Sequence, residues 1–239
     1  MRRLLFLGVL VCLTAFIPAE YPHEISPQPV FIRPRAPMVA LSFDDGPSAY
    51  THIILDILEE HDARATFFVL GHQLVARPEV ALRASELGNE IANHTWSHAR
   101  LTQTSSAEIA REITRTSTAI EGLIGHSPPM FRPPFGATDE RVVGVAKELG
   151  YAVVKWTADP IDWRYRDADI VYESVMRQVE DGSVVLLHDT RPTTAEAMRR
   201  LVPRLIEEGF ELVTVSELLR VFYGGLEAGR VYGSYTVLE

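Results

Sequence analysis

Hydrophobic and polar positions follow one repeating order from Met38 onward: a short β-rich apolar run, a polar turn, a stretch with helical spacing, then another apolar run. The β runs are Met38–Phe43, Ala65–Leu70, Glu90–Asn93, Met130–Arg132, Ala152–Trp156, Ser183–Leu187 and Glu211–Val215. Three helical stretches close alike, in Glu86-Leu87-Gly88, Glu148-Leu149-Gly150 and Glu207-Glu208-Gly209, with a strand one or two residues later. Glycine just past a helix end takes the left-handed conformation that terminates it. Capping boxes are expected at Ser105-x-x-Glu108, Thr193-x-x-Glu196 and Thr214-x-x-Glu217. Strands alternating with helices pair in parallel through right-handed crossovers. Seven such units over roughly 180 residues predict an α/β fold, a distorted (β/α)7-8 barrel rather than an open doubly wound sheet. No Gly-x-Gly-x-x-Gly or Walker sequence follows the first strand, so a nucleotide-binding fold has no support.

The chain's beginning has a different texture. Arg2-Arg3, an apolar run from Leu4 to Ile17 and then Pro18-Ala19 have the order of a secretory signal, with Ala19 the expected last residue removed. The run is shorter than the ~20 residues of a spanning helix; left uncleaved, it would act as a membrane attachment. Residues 20–37 hold five prolines and read as an extended linker. Residues 38–223 read as one folded domain, and residues 224–239 as a surface tail. The expectation is an exported protein, secreted or held at the cell envelope. Its one cysteine, Cys12, lies inside the signal, so the mature chain carries no thiol chemistry. A net charge of -9 argues against a nucleic-acid partner.

Chemistry-bearing residues gather where the β runs stop. Leu41-Ser42-Phe43-Asp44-Asp45-Gly46-Pro47 ends the first. Neighbouring strand residues face opposite ways, so Asp44 and Asp45 share a site only if the backbone turns there, as Gly46-Pro47 permits. A carboxylate pair capping the next helix is the plainer alternative. His94-Thr95-Trp96-Ser97-His98 follows the third run, and its two imidazoles share a face if the segment is helical. Two surface histidines at a helix start are the plain reading. With Asp45 they make a His, His, Asp set, whose open fourth position is the arrangement of a catalytic zinc; without thiolate it also accepts cobalt or nickel. Phe131-Arg132-Pro133-Pro134-Phe135-Gly136 ends the fourth run, Asp159-Pro160-Ile161-Asp162-Trp163 follows the fifth, and Val184–Asp189 ends the sixth with His188. Trp163 reads as a sugar platform or a packed indole. Parallel barrels keep their chemistry at this C-terminal edge.

In that order, Phe43-Asp44-Asp45-Gly46-Pro47, His94-Thr95-x-x-His98, Arg132-Pro133-Pro134-Phe135-Gly136, Asp162-Trp163 and Leu186-x-His188 resemble the five motifs of the polysaccharide deacetylases. These are the NodB-like enzymes of the carbohydrate esterase family 4 type, and the resemblance spans roughly Met38 to Val221. It implies a distorted barrel, one divalent metal ion, zinc first, on Asp45, His94 and His98, and an acetylated polysaccharide as partner. It further implies Asp44 as base and His188 as acid, with Arg132 pairing Asp44 and lowering its pKa, and with Asp162 favouring protonated His188. The Phe135 backbone N–H would meet the oxyanion, and Trp163 and Leu186 would wall a pocket for the acetyl methyl. Phe135 stands where many members carry tyrosine, which costs nothing if only its N–H acts. The implied reaction removes N-acetyl groups from peptidoglycan or chitin-type glycans; the alternatives are O-deacetylation of xylan and a glycan-binding homologue without catalysis.

Overall fold

Side-chain alternation along the strands decides which residues face the inside of the sheet. The computed structural model describes residues 35–233; the expected signal, most of the expected linker and residues 234–239 lie outside the described residues. The order is β1 (Met38–Asp44), α1 (Thr51–Glu60), β2 (Thr66–Val69), α2 (Gly71–Ala76), α3 (Pro78–Glu86), β3 (Glu90–Asn93), α4 (Ser106–Ile124) and β4 (Met130–Phe131). Then come α5 (Glu140–Glu148), β5 (Ala152–Val154), α6 (Ala168–Met176), β6 (Ser183–His188), α7 (Pro192–Glu207), β7 (Glu211–Leu212), α8 (Val215–Tyr223) and β8 (Val231–Tyr232).

The strands form one parallel sheet in the order β6-β1-β2-β3-β4-β5-β8, with β7 beside the start of β1. The sheet curls until the loop after β5 meets β6: Ala158 bridges Val185, and Leu186 N donates to Ala158 O at 3.0 Å. This is the expected distorted barrel. Ala40, Phe68, Ala92, Met130, Val154 and Leu186 share one buried cluster inside it. Their neighbours Leu41, Phe43, Phe67, Ile91, Val185 and Leu187 pack outward against the helices, as period-two alternation requires. Helix α8 closes the end where the strands begin, putting Val215, Leu218 and Leu219 into the inner cluster. Val215 N donates to Thr66 Oγ1 at the start of β2, at 2.8 Å. Among the described residues no helix is long and apolar enough to cross a membrane.

Gly88, Gly150 and Gly209 do take left-handed φ, 79°, 85° and 88°. Thr214 and Glu217 form a full capping box, and Ser105 accepts from Glu108 N. The box at Thr193 does not form. Helix α7 begins two residues earlier than that box requires, at Pro192, whose missing N–H and fixed φ suit a first turn. The run Glu211–Val215 pairs only to Leu212, because Thr214 caps α8 and draws Val215 into it. The expected tail contains β8, which covers the free edge of β5; Tyr232 is buried in the inner cluster and its hydroxyl donates to Gly225 O.

Phe43 is 1% exposed and its ring stacks on Phe67 with centroids 5.1 Å apart. Phe43→Ala leaves a cavity on the outer face of β1 and is expected to cost about 3–5 kcal/mol. Urea unfolding should show a lowered midpoint at unchanged m.

Candidate active site

Four inward rows end at the C-terminal rim in a polar side chain two residues beyond an apolar or small one. Ser42 is followed by Asp44, Ala92 by His94, Met130 by Arg132 and Leu186 by His188. Asp44 and His188 are register partners on adjacent strands, so their side chains emerge on the same face. Asp44, His94 and Arg132 are buried.

Asp45 reaches the same place by a different route. Its φ is 77°, so the chain turns at the strand end and its Oδ1 comes within 3.5 Å of His94 Nε2 and 3.3 Å of His98 Nε2. The turn depends on Gly46. A Cβ there would lie 2.0 Å from Asp189 Oδ2, so the Asp189 carboxyl occupies the space that any other residue would need. The two histidines meet through a loop and not through a helical i, i+4 pair. Thr95 and His98 have φ of 70° and 61°, outside any helix.

Those atoms suit a cation. Burial holds His94 neutral, pushed down to about 3, and its Nδ1 stands 2.8 Å from Arg132 O, a donation that leaves the Nε2 lone pair on the site. Asp45 Oδ1 is buried with no hydrogen-bond partner among the described residues. One ligand atom each from Asp45, His94 and His98 lies within 4.8 Å of the others. Ligands ~2.0–2.1 Å from a tetrahedral zinc stand about 3.3–3.4 Å apart, close to the 3.3 and 3.5 Å spacings of Asp45 Oδ1 from the two imidazoles.

Beside them, Asp44 Oδ1 accepts from Arg132 Nη1 at 2.7 Å, while Oδ2 lies 3.6 Å from His94 Nε2. Burial raises the Asp44 pKa and Arg132 offsets only part of that, which corrects the expected net lowering. Across the site His188 Nδ1 contacts Asp162 Oδ1 at 2.7 Å, and Asp162 Oδ2 accepts from His188 N at 2.7 Å and Thr194 Oγ1 at 2.6 Å. Burial works against charge on His188, but Asp162, with Asp44 and Asp45 adding to it, outweighs that and lifts the imidazole to about 9. Phe135 and Trp163 are about half exposed at the rim, and Leu186 is buried beneath His188.

A family model described as polysaccharide deacetylase matches residues 32–154. The chain belongs to the polysaccharide deacetylase family. It is 39% identical over 196 residues to the peptidoglycan-N-acetylglucosamine deacetylase PgdA of Listeria monocytogenes, covering 81% of this chain and 41% of that protein. It is 38% identical over 202 residues to the peptidoglycan-N-acetylmuramic acid deacetylase PdaC of Bacillus subtilis, covering 83% and 43%. The chain thus spans less than half the length of these two relatives. The solved structure of Bacillus subtilis PdaC aligns with a TM-score of 0.76 at 38% identity, covering 79% of this chain and 93% of that one.

Asp44, Asp45, His94, His98, Arg132, Asp162 and His188 thus come together at one rim, with Phe135 against His98. Asp162, not Asp159, meets His188; Asp159 instead accepts from Ile161 N and shapes the loop. Asp189 and Arg100, both beside these groups, escaped sequence reading. Asp189 is buried, lifted by that burial to about 7, with Oδ2 accepting from Thr51 Oγ1 at 2.6 Å and Oδ1 unpartnered. Arg100 lies over the Phe135 ring at 4.3 Å, and that ring meets His98 edge-on at 4.6 Å.

The folded pKa of His188 lies above its ordinary 6.5. Its pairing therefore stabilises the fold fully below pH 6.5, and that contribution is lost as pH rises through about 9. Asp162→Asn is expected to lower the His188 pKa and flatten stability over that window. Imidazole NMR titration and urea melts on protein stripped of divalent ions measure both; an unmoved titration would show that Asp162 does not set it.

Proposed function

We propose that this chain is an exported, metal-dependent N-deacetylase that removes acetyl groups from N-acetylglucosamine or N-acetylmuramic acid units of an acetylated polysaccharide. The observation that carries this reading is the pairing of two unlike carboxylates. Asp45 faces two imidazoles with an unpartnered oxygen, while Asp44 turns an oxygen to the same spot with its other oxygen held by Arg132. Asp45, His94 and His98 would hold the ion, zinc first, with cobalt or nickel fitting the same donors. Bound there, a divalent cation would polarise the acetyl carbonyl and acidify water.

The remaining work falls to the chain's own groups. Asp44 Oδ2 takes the proton from the attacking water. Arg132 keeps the Asp44 carboxyl oriented, since its guanidinium is itself fixed by Val154 O and Lys155 O at 3.3 and 3.0 Å. The Phe135 backbone N–H donates to the acetyl oxygen as charge builds on it. His188, protonated at neutral pH through Asp162, gives a proton to the nitrogen as the C–N bond breaks, so acetate and a free amine leave. Trp163 at the rim and Leu186 below bound the acetyl methyl. Arg100, Arg164 and Arg191 are exposed in the loops after β3, β5 and β6, and no carboxylate lies within ion-pair reach of them among the described residues. Such cations favour a glycan that itself carries carboxylates, which supports peptidoglycan over neutral chitin. The basic start and apolar run of Met1–Ala19 support export.

Zinc-loaded protein incubated with peptidoglycan and with chitooligosaccharides should remove ~42 Da per acetyl group by mass spectrometry, and a chelator should stop it. Acetate release from acetyl-xylan alone would make it an O-deacetylase; binding without release would make it a lectin-like homologue. Asp44→Asn should keep its metal and lose roughly 10²–10⁴ in turnover, whereas His94→Ala should lose metal by elemental analysis. Near wild-type turnover in the first, or full occupancy in the second, removes that residue from its role.

A further inference from the structure

His94 and His98 are oriented by different means. The His94 ring is fixed directly, its Nδ1 on Arg132 O at 2.8 Å. The His98 ring makes no hydrogen bond among the described residues; it touches the rings of His94 and Phe135 and Oδ1 of Asp45. Its place must therefore be set through its backbone. That backbone is unusual, because Thr95 and His98 both hold positive φ, a conformation that side-chain-bearing residues keep only where the surroundings impose it.

One side chain supplies that constraint next to His98. Glu112, on the inner face of α4 between Ile109 and Thr116, is 7% exposed. Its Oε2 accepts from Trp96 N at 2.9 Å and Ser97 N at 2.8 Å, and its Oε1 accepts from Ser97 Oγ at 2.9 Å. No arginine, lysine or histidine pairs with it among the described residues. Both oxygens of a buried carboxyl are thus spent on the two residues that precede His98. Burial without those bonds would be costly, so the carboxyl and the loop fix one another. Asn93 Oδ1, accepting from Thr95 N, and Gly71 N, donating to Thr95 O, hold the loop's start, and His72 on α2 meets Trp96 O through its N at 3.3 Å and its Nδ1 at 2.7 Å; among the described residues only Glu112 bonds Ser97, the residue next to His98.

We infer that Glu112 is a positioning residue of the candidate metal centre: it clamps Trp96 and Ser97 and so sets where His98 Nε2 stands relative to His94 and Asp45. This rests on the reading of Asp45, His94 and His98 as metal ligands. Outer partners of this kind commonly govern affinity by 10–100-fold.

The test compares wild type, Glu112→Ala and Glu112→Gln as full chains, by cobalt(II) titration read in the visible spectrum and by zinc competition with a chromophoric chelator. Glu112→Ala should bind about 10–100-fold more weakly with an altered cobalt spectrum. Glu112→Gln should stay within about threefold, since its Oε1 can accept both backbone N–H groups and its Nε2 can donate to Ser97 Oγ. Wild-type affinity and spectrum in a folded Glu112→Ala, even one with a lower melting temperature, would leave Glu112 a structural group only and overturn the inference alone. Should that variant fail to fold, Ser97→Ala decides: affinity down about 2–5-fold supports the clamp, and unchanged affinity overturns it. A wild-type chain that takes up no cobalt or zinc, or a His94→Ala chain that binds as wild type does, removes the metal reading and this inference with it.

Discussion

A guanidinium sealed from water inside a barrel is costly to keep charged, and Arg132 is completely buried. Burial lowers its proton affinity and raises that of Asp44, so each is tolerable only because the other stands 2.7 Å away. The rest of the guanidinium is spent on Val154 O and Lys155 O, and its plane lies 3.9 Å from the Phe68 ring centroid. One side chain from the end of β4 thereby ties together the ends of β1, β2 and β5. Taking away either charge would strand the other in a dry interior, at roughly 3–5 kcal/mol. The candidate site is built on that pair: Asp44 has one free edge to offer because Arg132 holds the other.

Geometry converts this into a converging set. Parallel strands in register carry same-face residues to the same height, so the polar residues that end four of the inward rows land beside one another. Asp45 and His98 are the exceptions, since neither continues a row. Both need left-handed backbone to turn inward, Asp45 with the room that Gly46 leaves for Asp189, and His98 with the loop that precedes it.

What was legible in the sequence follows the same division. Strand positions, parallel pairing and the rim placement of Asp44, His94, Arg132 and His188 rest on alternation and on where apolar runs stop, which are local properties of the chain. The five-motif resemblance added partners that no spacing rule supplies, such as Asp162 for His188. Hidden were features set by contacts distant in sequence. The His94–His98 segment has a helix-compatible spacing, but hydrogen bonds from α2 and α4 pull it into a loop. Glu112 sits at helical spacing from Ile109 and Thr116, so a carboxyl on an apolar stripe was its only signal. Asp189 follows His188 directly, yet alternation sends it to the other side, toward Thr51. Tyr232 lies in a glycine-rich stretch with no periodicity, and only the bare edge of β5 gives it a place.

The acids of the site are matched unequally. Asp44 is matched by Arg132, and Asp162 by His188, whose imidazole it lifts to about 9. Burial raises Asp189 to about 7, so near neutral pH its carboxyl holds a proton for much of the time. His94 is neutral. What is left is Asp45, with a buried oxygen that accepts no hydrogen bond among the described residues and stands 3.5 and 3.3 Å from two imidazole nitrogens. A carboxylate oxygen shut away from water without a donor is costly. A divalent cation held between that oxygen and the two imidazoles is the arrangement that would satisfy all three at once.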